Sequence, residues 1–205
     1  MEKYLLNVDP EICRLDSQMQ WHSLAQKAFQ NWQYNQNDVN RLLVCGTQLW
    51  HMLEVDFVVS YDPNWNQPCE KICQKQVIHQ LREVTGYGLA HFANDPAMNA
   101  YFGYLIYVKP EYFADAQKGY DEWKETGRSM LQKSYIIDPD SPFTKAMFYK
   151  VDCDTADSPF YDACREIWQR ITPQQWGKTN FHFYLFNILF GDHFYPDAYQ
   201  ADENN

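Results

Sequence analysis

The chain has 205 residues, enough for one large domain or two small ones, and 45% of them are hydrophobic, with 7 Trp, 15 Tyr and 13 Phe. That composition supplies a real core and excludes an intrinsically disordered chain. Against 27 Asp and Glu stand 17 Lys and Arg, a formal charge of −10, which argues against nucleic acid or an anionic membrane surface as direct partner, because phosphate binding needs a basic footprint.

The same field would steer in a basic protein, and acidity for solubility alone reads equally well. Residues 1–10 lack the apolar segment of a secretory signal, and the longest nearly uninterrupted apolar run, residues 181–190, is about half a membrane span. The expectation is a cytosolic protein whose six Cys are reduced and buried as small hydrophobes.

In chain order, an amphipathic helix accounts for residues 11–33, where Ile12, Leu15, Met19, Ala25, Phe29 and Trp32 recur at steps of three and four with one interruption near His22. Asp9-Pro10 supplies its start and a polar patch over residues 31–37 closes it. Asp38 caps the next helix, which keeps its period without a break through Leu42, Gly46, Leu49, Trp50, Leu53 and Phe57 to about Ser60. Two prolines make residues 61–68 a loop. A third helix carries Ile72, Cys73, Val77, Leu81 and Val84 on one face and continues through Gly86 and Gly88 to about Asn94, since Leu89 and Phe92 keep the period.

One phrase is then used three times: Asp95-Pro96 with Ala100, Ser141-Pro142 with Ala146, and Ser158-Pro159 with Ala163. In each, an Asp or Ser caps free backbone N–H groups, Pro occupies the first helical position, and Ala four residues later lets the helix approach its neighbour closely. The first opens a helix from Ala97 to about Val108 that is apolar on most sides and so reads as buried. Residues 111–137 form one or two helices, and short helices begin at Pro142 and Pro159. The last, over residues 174–190, is nearly all apolar and should be a central core element, followed by an acidic, frayed tail over residues 195–205. Convincing alternation of period two and Asn-Gly or Asp-Gly hairpin signals are missing. The expected fold is all-α: a single domain over residues 1–205, an irregular array or bundle of about seven to nine helices with no significant sheet.

Residues 123–146 resemble the second half of a tetratricopeptide repeat running into the next, with Gly127, Leu131, Ser134 and Pro139 at that family's small, aromatic, small and proline positions. The three marked starts are unequally spaced, so the resemblance implies tetratricopeptide-like helix pairs and not a regular array. More broadly, the Tyr101-Phe102-Gly103-Tyr104 helix, the block from Gly127 to Pro142 and the aromatic last helix resemble the all-helical immunity proteins of bacterial polymorphic and contact-dependent toxin systems. That resemblance implies a cytosolic binding protein, without enzymatic activity or cofactor, that neutralises a cognate and often basic nuclease toxin by covering its active site.

The residues that carry chemistry are sparse. Cys69, Cys73 and His79 are the nearest to a metal constellation but lack a fourth ligand and a Cys-x-x-Cys pair, so buried thiols are the favoured reading and no metal is expected. His51 and Glu54 stand in the order His-x-x-Glu, the reverse of a di-iron motif, and suit a polar contact on a helix. His182 and His193 lie near Asp192 without a nucleophile motif. The aromatic stripe of residues 101–107 and 181–190 reads as core packing more readily than as a ligand cavity.

The acidic run is the best binding candidate. Between Lys150 and Arg165 lie Asp152, Asp154, Asp157 and Asp162 with no basic residue, and Asp138 and Asp140 precede the helix that leads there. These carboxylates either accept Lys and Arg of a basic protein partner or belong to a solvated loop as caps and turn formers, with Asp157 supporting the start at Ser158. A tetratricopeptide-like adaptor for a peptide partner is the alternative function, and a small-molecule-binding helical domain stands third.

Overall fold

The structure is a computed structural model that describes residues 4–61, 70–151, 159–170, 179–182, 184 and 185. Among them are eight α-helices, a short 3-10 helix and no strand: α1 (Pro10–Ser17), α2 (Trp21–Tyr34), α3 (Val39–Tyr61), α4 (Gln74–His91), α5 (Pro96–Val108), the 3-10 helix (Pro110–Tyr112), α6 (Tyr120–Ile137), α7 (Pro142–Lys150) and α8 (Pro159–Arg170). The fold is therefore the expected all-α array. No helix among the described residues is long and apolar enough to cross a membrane.

Where one helix was expected over residues 11–33, the chain forms two. Gln20 N–H bonds back to the Leu15 carbonyl at 2.9 Å and Met19 N–H to that of Asp16 at 3.0 Å, while Met19 itself sits at φ 54°. That is a Schellman stop, the left-handed residue closing α1. Glycine usually holds this position, and here a methionine does, which hid the break from a reading based on composition. The restarted helix α2 has no side-chain cap from its own Gln20. Instead Glu70, 47 residues on in the sequence, accepts Ser23 N–H at 3.1 Å.

The local caps do form where an aspartate precedes the helix. Asp9 accepts Glu11 N–H at 2.8 Å, Asp38 accepts Arg41 N–H at 3.2 Å and Asp95 accepts Met98 N–H at 2.8 Å. Ser141 makes no capping bond with its side chain, although α7 starts after it as expected; Ser158 lies outside the described residues, as do the loop at 62–68 and the tail at 195–205. All three alanines placed four residues after the prolines, Ala100, Ala146 and Ala163, are buried. The third helix continues through Gly86 and Gly88 as its period required.

The middle of the molecule is α5, buried at every residue from Ala97 to Ile106. Its main partner is α6, and the contacts show why small residues are needed. A Cβ on Gly127 would lie 2.6 Å from the Tyr107 nitrogen and 2.7 Å from the Gly103 carbonyl oxygen, so the two backbones touch there. Farther along, Ser134 Oγ donates to the Pro96 carbonyl at 2.7 Å. Matched positions run 96, 103, 107 on α5 against 134, 131, 127 on α6, a close antiparallel pair. On the opposite side, Gly46 of α3 lets the Phe102 ring into the space a side chain would occupy. The described part of the last apolar stretch is core as expected: Phe181 and Leu185 are fully buried, and Phe181 meets Trp50 and Tyr101 at centroid distances of 6.4 Å each.

Candidate functional site

The predicted acidic residues fall into different environments. Asp138 ends α6, and its Oδ2 accepts the hydroxyl of Tyr4, while its carbonyl accepts Thr144 Oγ1 at 2.6 Å. Burial and then the Asp138 carboxylate push the Tyr4 phenol far above its ordinary pKa. Tyr4 is in turn fixed by a 2.6 Å bond from Tyr101 to its carbonyl and by stacking on Phe143 at 4.8 Å. This carboxylate therefore ties Tyr4 to the α6–α7 turn. Asp140 is exposed in the turn two residues on. Asp162, in the first turn of α8 and exposed, pairs with Arg165 at 3.2 Å. Asp138 and Asp140 share the α6–α7 turn; Asp152, Asp154 and Asp157 lie outside the described residues.

Of the other candidates, Cys73 precedes α4 and is exposed, as is His79, and Cys69 lies outside the described residues. Among the described residues no group of three His, Cys, Asp or Glu could hold a metal. Glu54 accepts the Tyr112 hydroxyl at 2.6 Å and pairs with Lys109 at 3.3 Å. It thereby pins the 3-10 helix to α3, the polar contact expected of it.

His51 belongs to a buried polar layer between α3 and residues 179–185. Gln48 Nε2 donates to Thr179 Oγ1 at 3.1 Å, and Thr179 Oγ1 bonds His182 Nδ1 at 2.7 Å. The two imidazoles are both buried. Loss of hydration holds His182 near a pKa of about 4, and loss of hydration together with the neighbouring His182 does the same to His51. Both rings are therefore neutral at pH 7. Asp16, at the end of α1, accepts Asn180 N–H at 2.6 Å and so caps this segment from 164 residues away. The layer joins chain segments; its histidines are surrounded by Phe181 and Tyr184 rings, an environment suited to packing.

An open concavity lies elsewhere among the described residues. Where the starts of α1 and α3 meet the end of α2, a cavity of about 330 Å³ is lined by Asn7, Asp9, Asn31, Asp38, Asn40 and Arg41 above the aliphatic groups of Ile12, Ala28 and Val44. Its wall is fixed by a reciprocal clamp: Asn7 N–H donates to Asn40 Oδ1 at 2.9 Å and Asn40 Nδ2 returns a bond to the Asn7 carbonyl at 2.8 Å. Asn31 Nδ2 donates to Asp9 Oδ2 at 3.0 Å, and Arg41 Nη1 donates to the Asn31 carbonyl at 3.1 Å. Arg41 Nε lies 3.5 Å from Asp38 Oδ2. Sequence reasoning identified Asp9 and Asp38 as caps; that both caps open onto one cavity follows only from the packing of α1 beside α3.

Comparison with protein-family models, with curated proteins and with solved structures finds no match to this chain.

Proposed function

We propose that this chain is a cytoplasmic binding protein that neutralises a cognate basic toxin domain, of nuclease type, by forming a stoichiometric complex that covers the toxin's active site. The observation that carries the reading is the excess of 27 acidic over 17 basic side chains on an all-helical body built from pre-formed turns. A field of that sign accelerates encounter with a cationic surface and favours Lys- and Arg-rich partners over others. Within the acidic set, Asp140 and Asp162 are the described carboxylates that face solvent, with Asp152, Asp154 and Asp157 beside them in sequence, whereas Asp138 serves Tyr4.

The test is to find whether a gene for a secreted toxin adjoins this one and to co-express the pair: survival of the cells supports the reading, and undiminished killing removes it. Changing Asp140, Asp152, Asp154, Asp157 and Asp162 to Lys should slow association and flatten its salt dependence, since steering acts through the encounter rate; an unchanged rate would remove those residues from the interface. A second reading, a peptide-binding adaptor, draws on the close antiparallel α5–α6 pair. Salt-independent capture of a peptide would favour it.

A further inference from the structure

We infer that the cavity at the α1–α2–α3 corner is an anchor pocket for one lysine side chain of the partner, an inference that rests on the partner being a basic protein. The lining carries two carboxylates, Asp9 and Asp38, against one guanidinium, Arg41. Lys27 stands outside it, 3.9 Å from Asp9 Oδ2, at the long limit of ion pairing. Arg41 is turned towards the α2–α3 end of the rim. It lies 3.5 Å from Asp38 and 3.1 Å from the Asn31 carbonyl, with its guanidinium carbon 5.7 Å from the Tyr34 ring centre. Asp9 thus has the more distant cationic partner of the two carboxylates, and the methyl groups of Ile12, Ala28 and Val44 line the same cavity. An amphipathic chain with an apolar stem and a cationic tip suits such a site.

The donor pattern favours ammonium over guanidinium. Both oxygens of Asp9 already accept one neutral donor each, Glu11 N–H and Asn31 Nδ2, so the paired, coplanar acceptors that an arginine fork needs are taken. A point-like ammonium uses the remaining lone pairs singly. Beside the mouth, Tyr34 is 87% exposed, and a Tyr and an Arg flanking a preformed pocket are what energetic centres of protein interfaces are made of. The Asn7–Asn40 clamp holds the wall before any partner arrives, which lowers the ordering cost of binding.

The experiment titrates the full-length, 15N-labelled protein with Nα-acetyl-lysinamide, with Nα-acetyl-norleucinamide and Nα-acetyl-argininamide as probes of stem and fork. Expected are shifts of the Asn31 and Asn40 side-chain amides with the lysine compound alone. Asp9→Asn and Asp38→Asn retain a helix-capping side chain and remove the charge; Asp9→Asn should weaken binding about tenfold, the worth of one charge-assisted hydrogen bond, and Asp38→Asn, whose carboxylate pairs with Arg41, should weaken it less. Ala28→Met, which fills the floor, should abolish binding while leaving the rest of the spectrum in place. Equal shifts with norleucinamide, shifts with none of the three, or unchanged affinity in both Asn variants would each overturn the pocket. The binding reading fails separately: wild-type protein that takes lysinamide but does not protect cells sinks the toxin reading alone, and a double Asn variant that protects as well as wild type sinks the pocket alone.

Discussion

The hydroxyl of Tyr4 donates to the carboxylate of Asp138 across 134 residues of sequence, joining the start of the described chain to the turn between α6 and α7. Tyr4→Phe keeps the ring that stacks on Phe143 and removes the hydroxyl, so Asp138 loses this donor. A hydrogen bond to a charged group is worth about 1.5–3 kcal/mol. The variant should lose about that much stability in urea, with a lower melting temperature. A midpoint equal to wild type would show that Asp138 is hydrated as readily as it is bonded.

Two glycines should answer the same substitution in opposite ways. Gly127→Ala puts a Cβ within 2.7 Å of two backbone atoms of α5, neither of which can move without separating the helices; a loss of about 1–3 kcal/mol is expected. Gly86→Ala meets nothing within 4 Å and gains helix propensity, so about 0.5–1 kcal/mol of added stability is expected. Both are read from chemical denaturation. Equal changes of one sign would refute the close α5–α6 contact.

Acid should unfold this protein through its buried histidines. His51 and His182 have pKa values of about 4 in the folded chain against 6.5 for the free side chain, so between those values the unfolded chain binds more protons. Stability is then full above pH 6.5 and falls as pH drops towards 4, by up to about 1.4 kcal/mol per pH unit for each ring. Asp16 works in the opposite direction: burial raises its pKa, so its contribution improves as pH falls through the carboxylate range. Denaturation midpoints between pH 7.5 and 4 measure the sum, and a flat profile across 6.5 to 5 would mean that the rings are not buried neutral.

Helix α2 depends on a cap supplied from outside it. Glu70→Ala removes the acceptor of Ser23 N–H and should cost about 0.5–2 kcal/mol, the range for losing an N-cap; Glu70→Gln, which still accepts, should cost less. Faster amide exchange at residues 21–23 is the local signature, and equal exchange in wild type and Glu70→Ala would dismiss the remote cap.

Helix identity, most helix starts and the burial of Ala100, Ala146 and Ala163 were legible without coordinates because they depend on groups within a turn of each other. An aspartate reaches its own helix's N–H groups whatever surrounds it, and an apolar stripe must be covered by something. The break at Met19 escaped because a left-handed residue is signalled by glycine and here is not glycine. Asp138 escaped as a structural residue because its partner, Tyr4, lies 134 residues away in the sequence. Its sequence context, Asp-Pro-Asp, described only a turn.

What the sequence by itself determined, then, is an acidic, all-helical chain with its helices marked by Asp-Pro and Ser-Pro starts. Only the tertiary structure decided which carboxylates are engaged by distant parts of the fold, since Asp16, Glu70 and Asp138 are each claimed by a group 47 or more residues away. It likewise decided which glycine is obligatory and where two helix caps share a cavity. The physical reason is range: capping and periodicity act through neighbours along the chain, whereas desolvation, backbone contact and pocket shape depend on which distant segments the packed core brings together.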